Sequence, residues 1–309
     1  MNQGRGIWIT AALCVSFAGV AAAQDAGQTL RVSYGHHGAP STPALRSSAA
    51  LVLDATGSSV LYARHADVAM PIASITKLMT ALVVIDAGQS LDEFLEVSVE
   101  DVARGRGTAS RLTPGATLTR GDLMHLALMS SENRAAHALA RSYPGGVEAC
   151  VTAMNARARA LGMTSAHFVE PTGLSDENVA SAEDLSKLVM AAAKVPAIRE
   201  YSTDSSYEVQ VGRRMLTFRS TDSLTSKPDW DIVVQKTGYI SEAGRCLVMQ
   251  TIIEARTVVI VLLNSYGKRS RIADARRIRR WMESSEHPHV APPVPGRQAD
   301  PAATIPAAT

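Results

Sequence analysis

The chain has 309 residues, 46% of them hydrophobic and 19% charged, so it can bury a sizeable core in one or two domains. Its formal net charge of +2 is too close to neutral to indicate nucleic acid or an anionic surface as partner. The sequence has no Cys-x-x-Cys and no His-Glu-x-x-His, so we expect a mechanism without a metal or another cofactor.

Residues 1–23 have the pattern of a secretory signal peptide. Arg5 supplies a positive start, residues 7–20 form an apolar core, and small residues precede a cleavage site after Ala23. The apolar part is short for a membrane span. We therefore expect an exported protein with at most peripheral membrane association.

Composition divides the mature chain into three parts. Residues 24–46 are rich in Gly, Pro, Ser and Ala, which predicts a flexible linker, and the Pro- and Ala-rich residues 286–309 predict a disordered tail. One folded domain, residues 47–285, lies between them. It contains Cys150 and Cys246, which could pair in an exported protein, but the sequence cannot bring them together and we expect buried free thiols.

The folded domain opens with two strands and a helix. Apolar residues at 49–53 and 60–62 flank a turn and predict the strands. Apolar residues then recur at helical spacing, which predicts a helix that begins near Ala73 and ends at Gly88.

Ser74 and Lys77 lie one turn apart at the start of this helix. Residues three apart share a helix face, so the lysine amine can reach the serine hydroxyl. A lysine whose pKa is lowered by burial or by a nearby cation can activate a serine nucleophile, and the helix N-terminus offers N–H groups to an oxyanion. The pair predicts acyl-transfer chemistry, although Ser-x-x-Lys alone also fits an exposed serine and a solvated lysine.

A block of helices follows two short strand or loop segments at 94–99 and 108–118. Periodicity and caps predict four helices, at 120–129, 134–141, 147–161 and 182–194. Between the first two, Ser131 and Asn133 are expected on a loop.

The C-terminal third changes to strands. We predict strands at 207–211, 215–218, 231–238, 246–253 and 257–263, and a closing helix at 270–283 whose arginines form a solvated face. Lys236, Thr237 and Gly238 are expected to end the third of these strands. This order predicts an α/β (α+β) fold in which one antiparallel sheet, built from both chain ends, is flanked by helices, with a helical subdomain inserted between.

Three polar segments, at residues 74–77, 131–133 and 236–238, together have the groups needed to bind and cleave a peptide. A strand ending in Gly238 lets a peptide lie along its edge, and Lys236 and Thr237 can bind a carboxylate. Asn133 can hydrogen-bond a substrate amide and Ser131 can pass a proton to a leaving amine. Asn133 could instead be a helix cap, and Gly238 a bulge.

These motifs together resemble the serine DD-peptidases, the low-molecular-mass penicillin-binding proteins, particularly their endopeptidase branch. The similarity covers residues 47–283 and is also seen at 127–136, 168–175 and 236–249. It implies the DD-peptidase/β-lactamase-like fold, peptidoglycan peptides as substrates, β-lactams as inhibitors and a periplasmic location.

The resemblance also implies a role for each site residue. Ser74 attacks a D-alanine carbonyl with Lys77 as base, and Ser131 relays a proton. Asn133 holds the substrate amide. The other implied residues are Lys236, Thr237 and Gly238, along the substrate, and Tyr239, whose N–H joins that of Ser74 in the oxyanion hole.

Alternatives within and outside this class stay open from sequence. A β-lactamase would use Glu170 for deacylation, but Leu174 stands where its loop needs asparagine. A D-alanyl-D-alanine carboxypeptidase is expected to carry a further β-rich domain and a C-terminal anchor, for which the short tail leaves no room. A non-catalytic penicillin sensor would be expected to have membrane and signalling segments. The oligomeric state is not indicated.

Overall fold

The computed structural model of this chain describes residues 42–56, 59–102 and 109–284. The predicted signal peptide, most of the predicted linker and the predicted tail lie outside the described residues. Leu45, within the predicted linker, is buried, and the backbone N–H of Arg46 donates to the Asp274 carboxylate. The end of that segment therefore packs on the folded domain.

The strands and helices of the described residues follow the predicted order. The strands are β1 (Ser47–Asp54), β2 (Ser59–Arg64), β3 (Met70–Pro71), β4 (Phe94–Glu96), β5 (Thr117–Thr119), β6 (Val179–Ala180), β7 (Ser206–Val211), β8 (Arg214–Arg219), β9 (Asp231–Ile240), β10 (Gly244–Ile253) and β11 (Arg256–Ser265). The helices are α1 (Thr76–Asp86), α2 (Arg120–Met129), α3 (Asn133–Arg141), α4 (Gly146–Ala160), α5 (Ala182–Ala192), α6 (Pro196–Thr203) and α7 (Ser270–Glu283).

The main sheet has the strand order β2-β1-β11-β10-β9, with neighbouring strands antiparallel. β1 lies beside β11, so that Ala50 faces Leu262 across the pair. The prediction of one sheet built from both chain ends, with helices inserted between, is confirmed.

The sheet is buried on both faces, which explains its nearly continuous apolar strands. Ala50 and Val52 of β1 pack with Ile278 of α7 on one face. Leu51, the next residue along β1, packs with the inserted helices, including Leu78 of α1, on the other. Alternate residues of one strand thus join two separate cores, and the helical layer that contains α1 is fixed against the sheet.

The differences from the sequence predictions that matter most are two boundaries near Ser74 and Gly238 and one additional helix. α1 begins at Thr76, after a 3-10 turn at Ala73–Ile75, rather than at Ala73. β9 continues past Gly238 because it keeps pairing with β10, with Gly238 opposite Cys246. The helix α6 was not predicted: Pro196 is its first residue, a position where proline costs no hydrogen bond, rather than a stop signal.

Both cysteines of the folded domain are buried and unpaired. Burial raises the pKa of the Cys150 thiol to about 12 and that of Cys246 to about 11, so neither forms thiolate readily. Within the part of the chain that the structure describes, no helix is both long and apolar enough to cross a membrane.

Candidate active site

Ser74 lies in the 3-10 turn that connects β3 to α1. The preceding residue, Ala73, has a positive φ of 50°, a backbone conformation that non-glycine residues rarely adopt. The Thr76 hydroxyl donates to the Ala73 carbonyl at 2.8 Å, and the Ile72 N–H donates to the Asn178 carbonyl, which together hold this turn. Ser74 keeps 9% of its surface exposed, at the junction of the helical layer and the sheet.

Lys77 is 1% exposed, and its ammonium nitrogen has three acceptors. Nζ donates to Ser74 Oγ at 3.0 Å, to Asn133 Oδ1 at 2.7 Å and to the Thr172 carbonyl at 2.6 Å. Burial lowers the pKa of Lys77 from 10.5 to about 8, although the carboxylates of Glu170 and Glu132 oppose the shift. The amine is therefore held against the serine hydroxyl with a pKa suited to a base near neutral pH.

Lys236 and Ser131 form a second polar pair. Lys236 is fully buried on β9, and its Nζ donates to Ser131 Oγ at 2.9 Å and to the Thr237 carbonyl at 2.9 Å. Burial, and then the positive charges of Lys77 and Arg271, lower the pKa of Lys236 well below 10.5. Ser131 has a positive φ of 61°, so its loop is held in a strained conformation at the site.

Asn133 is the first residue of α3 rather than a loop residue, and its amide oxygen is used by Lys77. The helix cap is supplied by Glu132, whose carboxylate accepts from the Arg134 N–H at 3.3 Å. Because the oxygen of Asn133 is occupied, its amide nitrogen is the atom that can donate to a ligand.

β9 approaches the serine turn most closely at Gly238. A Cβ atom there would lie 2.8 Å from the Ile72 carbonyl and 3.2 Å from the Ser74 nitrogen, so only glycine fits without a shift. The Thr237 hydroxyl is 2.5 Å from the Thr221 hydroxyl. Tyr239 follows on β9. It is 54% exposed, and the Arg245 guanidinium lies 4.4 Å from the centre of its ring.

Glu170 uses its carboxylate within its own loop. It accepts hydrogen bonds from the N–H and hydroxyl of Thr172, the N–H of Gly173 and the side chain of Asn178. This bonding presents the Thr172 carbonyl to Lys77. The geometry supports a structural role for Glu170 rather than a role in deacylation.

Several residues of the site were not assigned a role from sequence. The Thr172 carbonyl accepts from Lys77, and Gly173 lies against the Ala73 carbonyl. The Thr221 hydroxyl contacts that of Thr237. Arg271 donates to the Gly238 carbonyl at 2.7 Å. The Pro-Thr-Gly run was a usable signal, since it matches the family, but Arg271 looked like one more arginine of a solvated face. That interpretation is wrong for Arg271, which is buried.

The structure thus brings the predicted site residues together. Ser74, Lys77 and Asn133 form one hydrogen-bonded group, Ser131 and Lys236 form another, and Gly238 contacts the serine turn. Within the described ranges, no group of three or more His, Cys, Asp or Glu side chains could hold a metal ion.

Comparison with known proteins agrees with this geometry. A family described as D-alanyl-D-alanine carboxypeptidase matches residues 36–267 of the chain. A D-alanyl-D-alanine endopeptidase of Pseudomonas aeruginosa is 46% identical over 251 residues, 81% of this chain and 81% of that protein. A D-alanyl-D-alanine endopeptidase of Escherichia coli is 42% identical over 276 residues, 89% of this chain and 86% of that protein.

Among solved structures, the crystal structure of a D-alanyl-D-alanine carboxypeptidase from Mycobacterium tuberculosis is similar with a TM-score of 0.73. It is 26% identical and covers 80% of this chain and 94% of its own. The predicted fold is confirmed by this similarity.

Proposed function

The chain belongs to the D-alanyl-D-alanine carboxypeptidase family of serine peptidases, and we propose that within this family it is an endopeptidase that cuts peptidoglycan cross-links. The observation that supports this choice is the identity of 46% and 42% to relatives named endopeptidases, against 26% to a solved carboxypeptidase. This is the penicillin-binding protein 7 type of activity.

In the proposed acylation step, neutral Lys77 takes the hydroxyl proton of Ser74 while Ser74 Oγ bonds to a D-alanine carbonyl carbon. The 3.0 Å contact between Lys77 Nζ and Ser74 Oγ supports this transfer. The carbonyl oxygen becomes an oxyanion, for which we assign the backbone N–H groups of Ser74 and Tyr239 as donors. The close approach of Gly238 to the Ser74 nitrogen brings these two stretches of backbone side by side.

Collapse of this intermediate breaks the peptide bond and leaves an ester on Ser74. The leaving amine needs a proton, and Ser131 passes to it the proton that Lys77 took from Ser74, so that Lys77 becomes neutral again. The Ser131 hydroxyl is positioned for this relay by the Lys236 Nζ, which donates to it at 2.9 Å. Water then hydrolyses the ester, with Lys77 again as base, and restores the serine.

Asn133, Lys236 and Thr237 are proposed to bind the substrate. The amide nitrogen of Asn133 donates to a carbonyl of the acyl peptide. Lys236 and the Thr237 hydroxyl bind a carboxylate on the leaving side, and that charge raises the pKa of the buried lysine and keeps it protonated. A β-lactam ring presents a similar carbonyl and carboxylate, so β-lactams are expected to acylate Ser74 in the same pose.

We place this reaction in the periplasm, because peptidoglycan lies outside the cytoplasmic membrane and the first 23 residues have a signal-peptide pattern.

Digestion of dimeric muropeptides tests the endopeptidase assignment. We expect the enzyme to convert a purified D-alanyl cross-linked dimer into two monomers, because the acyl-enzyme forms on the cross-linked D-alanine. Products are separated by chromatography and identified by mass, and enzyme preincubated with penicillin serves as control. Removal of only a terminal D-alanine from the dimer would instead assign a carboxypeptidase.

The pH dependence of acylation tests the role of Lys77. A base with a pKa of about 8 is about 1% neutral at pH 6, about 10% at pH 7 and half neutral at pH 8. The second-order rate constant for acylation should therefore rise about tenfold from pH 6 to pH 7 and level off above pH 8 to 9.

This profile is measured with labelled penicillin and, as a control, with an uncharged thioester substrate that does not need the positive charge of Lys236. A rise in the acylation rate between pH 6 and pH 8 that appears with both substrates assigns the titration to Lys77. A rate that keeps rising to pH 10 would contradict the lowered pKa.

A further inference from the structure

A cavity of about 340 Å³ lies beside the loop that contains Ser131. Three short segments form its walls: Ser130 and Glu132 of that loop, Phe218 and Arg219 at the end of β8, and Ala109, Ser110 and Arg111. We call it the side cavity. None of its residues has a role in the acyl transfer described above.

The side cavity is connected to the leaving-group end of the active site through two short segments. The Ser130 side connects directly to Ser131, the proposed proton relay. On the Arg219 side, Thr221 follows two residues later in the chain, and its hydroxyl is 2.5 Å from the Thr237 hydroxyl. The Thr221 N–H also donates to the Met129 carbonyl at 3.1 Å, which holds the two segments together. The two segments that line the side cavity thus also carry Ser131 and Thr221 to the leaving-group end of the active site.

The charge of the side cavity is positive. Arg111 and Arg219 are both exposed, and among the residues that the structure describes no carboxylate forms an ion pair with either of them. The acid in its wall, Glu132, is buried and its carboxylate caps α3. The cavity thus presents two guanidinium groups to a ligand.

Arg111 is held in position by its neighbours. Its guanidinium lies 3.9 Å from the centre of the Phe218 ring, a cation–π distance. The next residue, Leu112, is fully buried, and its carbonyl accepts from Arg134 Nη1 at 2.6 Å. An arginine ordered in this way loses less conformational entropy when it binds a carboxylate.

We propose that the side cavity binds the leaving peptide strand of a cross-link through a free carboxylate, with Arg111 and Arg219 as its donors. This inference rests on the proposed endopeptidase function, because only a cross-link has a leaving group of this size. A carboxypeptidase releases a single D-alanine, which ends at Lys236 and Thr237. The leaving strand of a cross-link is a branched peptide with further carboxylates, which match the planar, bidentate geometry of arginine.

Kinetics with two substrates test the proposal. Arg219→Ala and Arg111→Ala should each reduce kcat/KM for the cross-linked dimer by about tenfold, mainly through KM, because a charge-assisted hydrogen bond to the leaving strand is lost. Arg219→Lys should retain part of the activity. A peptide that ends in D-alanyl-D-alanine has no leaving strand, so its turnover should not show this loss.

Arg213→Ala is the matched control, since Arg213 is an exposed arginine in the turn at the opposite end of β8. A second test uses a dimer whose leaving strand is amidated at its free carboxylates except the one beside the scissile amide, which Lys236 and Thr237 bind. The unaltered enzyme should cleave this dimer about as slowly as Arg219→Ala cleaves the normal dimer.

Equal effects of Arg213→Ala and Arg219→Ala on the dimer would overturn the proposal, and so would equal losses on the dimer and the short peptide. If the unaltered enzyme does not cleave the dimer at all, the endopeptidase function itself fails, which is a different result from dimer cleavage that is insensitive to Arg111 and Arg219.

Discussion

Replacement of Ser74 by alanine is expected to abolish both acylation by penicillin and cleavage of cross-linked dimers. The hydroxyl of Ser74 is the acceptor that Lys77 Nζ contacts at 3.0 Å, and no other hydroxyl within the described residues contacts that amine. Loss of the nucleophile of an acyl-transfer enzyme costs about 10⁴-fold or more in kcat, because the remaining groups only bind and polarise the substrate. The measurements are the trapping of labelled penicillin and the release of monomers from dimers.

The matched control is Ser226→Ala, which removes an exposed serine hydroxyl that donates to the Ser223 carbonyl within its own turn. Both variants should unfold at nearly the same temperature as the unaltered protein, since the Ser74 side chain has one hydrogen-bonding partner. Mapping the penicillin adduct by mass spectrometry gives an independent result. An adduct on any residue other than Ser74, or dimer cleavage that survives in Ser74→Ala, would reject the acyl-enzyme assignment.

Replacement of Gly173 by alanine is expected to lower the acylation rate by about 100-fold or more. A Cβ atom at Gly173 would lie 2.0 Å from the Ala73 carbonyl oxygen and 2.8 Å from the Ser74 nitrogen. Backbone cannot move aside as a flexible side chain can, so the turn that contains Ser74 must shift. A displacement of about 1 Å at a reacting group can cost about 100-fold in rate.

Gly162→Ala separates this displacement from the cost of backbone conformation. Gly162 has a φ of 71°, close to the 79° of Gly173, but a Cβ atom there would have no heavy atom within 4 Å. Both substitutions therefore carry the cost of a left-handed conformation, about 1–2 kcal/mol of the free energy of unfolding. Only Gly173→Ala should change the rate of penicillin acylation. Equal kinetics in the two variants would show that contact between this loop and the serine turn does not position Ser74.

Local signals in the sequence predicted most of the fold, because they act over a few residues. Thr119 and Asp122 form a capping box at the start of α2, where a helix was predicted, with each side chain accepting the other's backbone N–H. The continuous apolar runs of β1 and β11 predicted two buried strands. The helix α6 was missed because Pro196, which follows the helix predicted at 182–194, was taken only as the end of that helix, whereas proline also begins helices.

The sequence predicted the motifs of the site, but it did not predict the contacts between segments that are distant in the chain. Ser74 and Lys77 are three residues apart, so helical spacing alone indicated their contact. The third acceptor of Lys77 is a backbone carbonyl, that of Thr172, and a backbone group leaves no mark on side-chain patterns. Arg271 was hidden for a different reason: its neighbours on α7 are also arginines, and periodicity does not show which of them faces β9.

The position of β1 between β2 and β11 has a consequence for the folding kinetics. The hydroxyls of Ser47 and Ser265 are 2.6 Å apart although 218 residues separate them in the chain. Such a high contact order predicts slow folding, because the sheet cannot close until the last strand has been synthesised. A nascent chain that lacks β11 exposes the apolar edges of β1 and β10, so it should aggregate readily. The nucleophile and the strand beside it therefore meet only late in folding, and an incomplete chain should not react with penicillin.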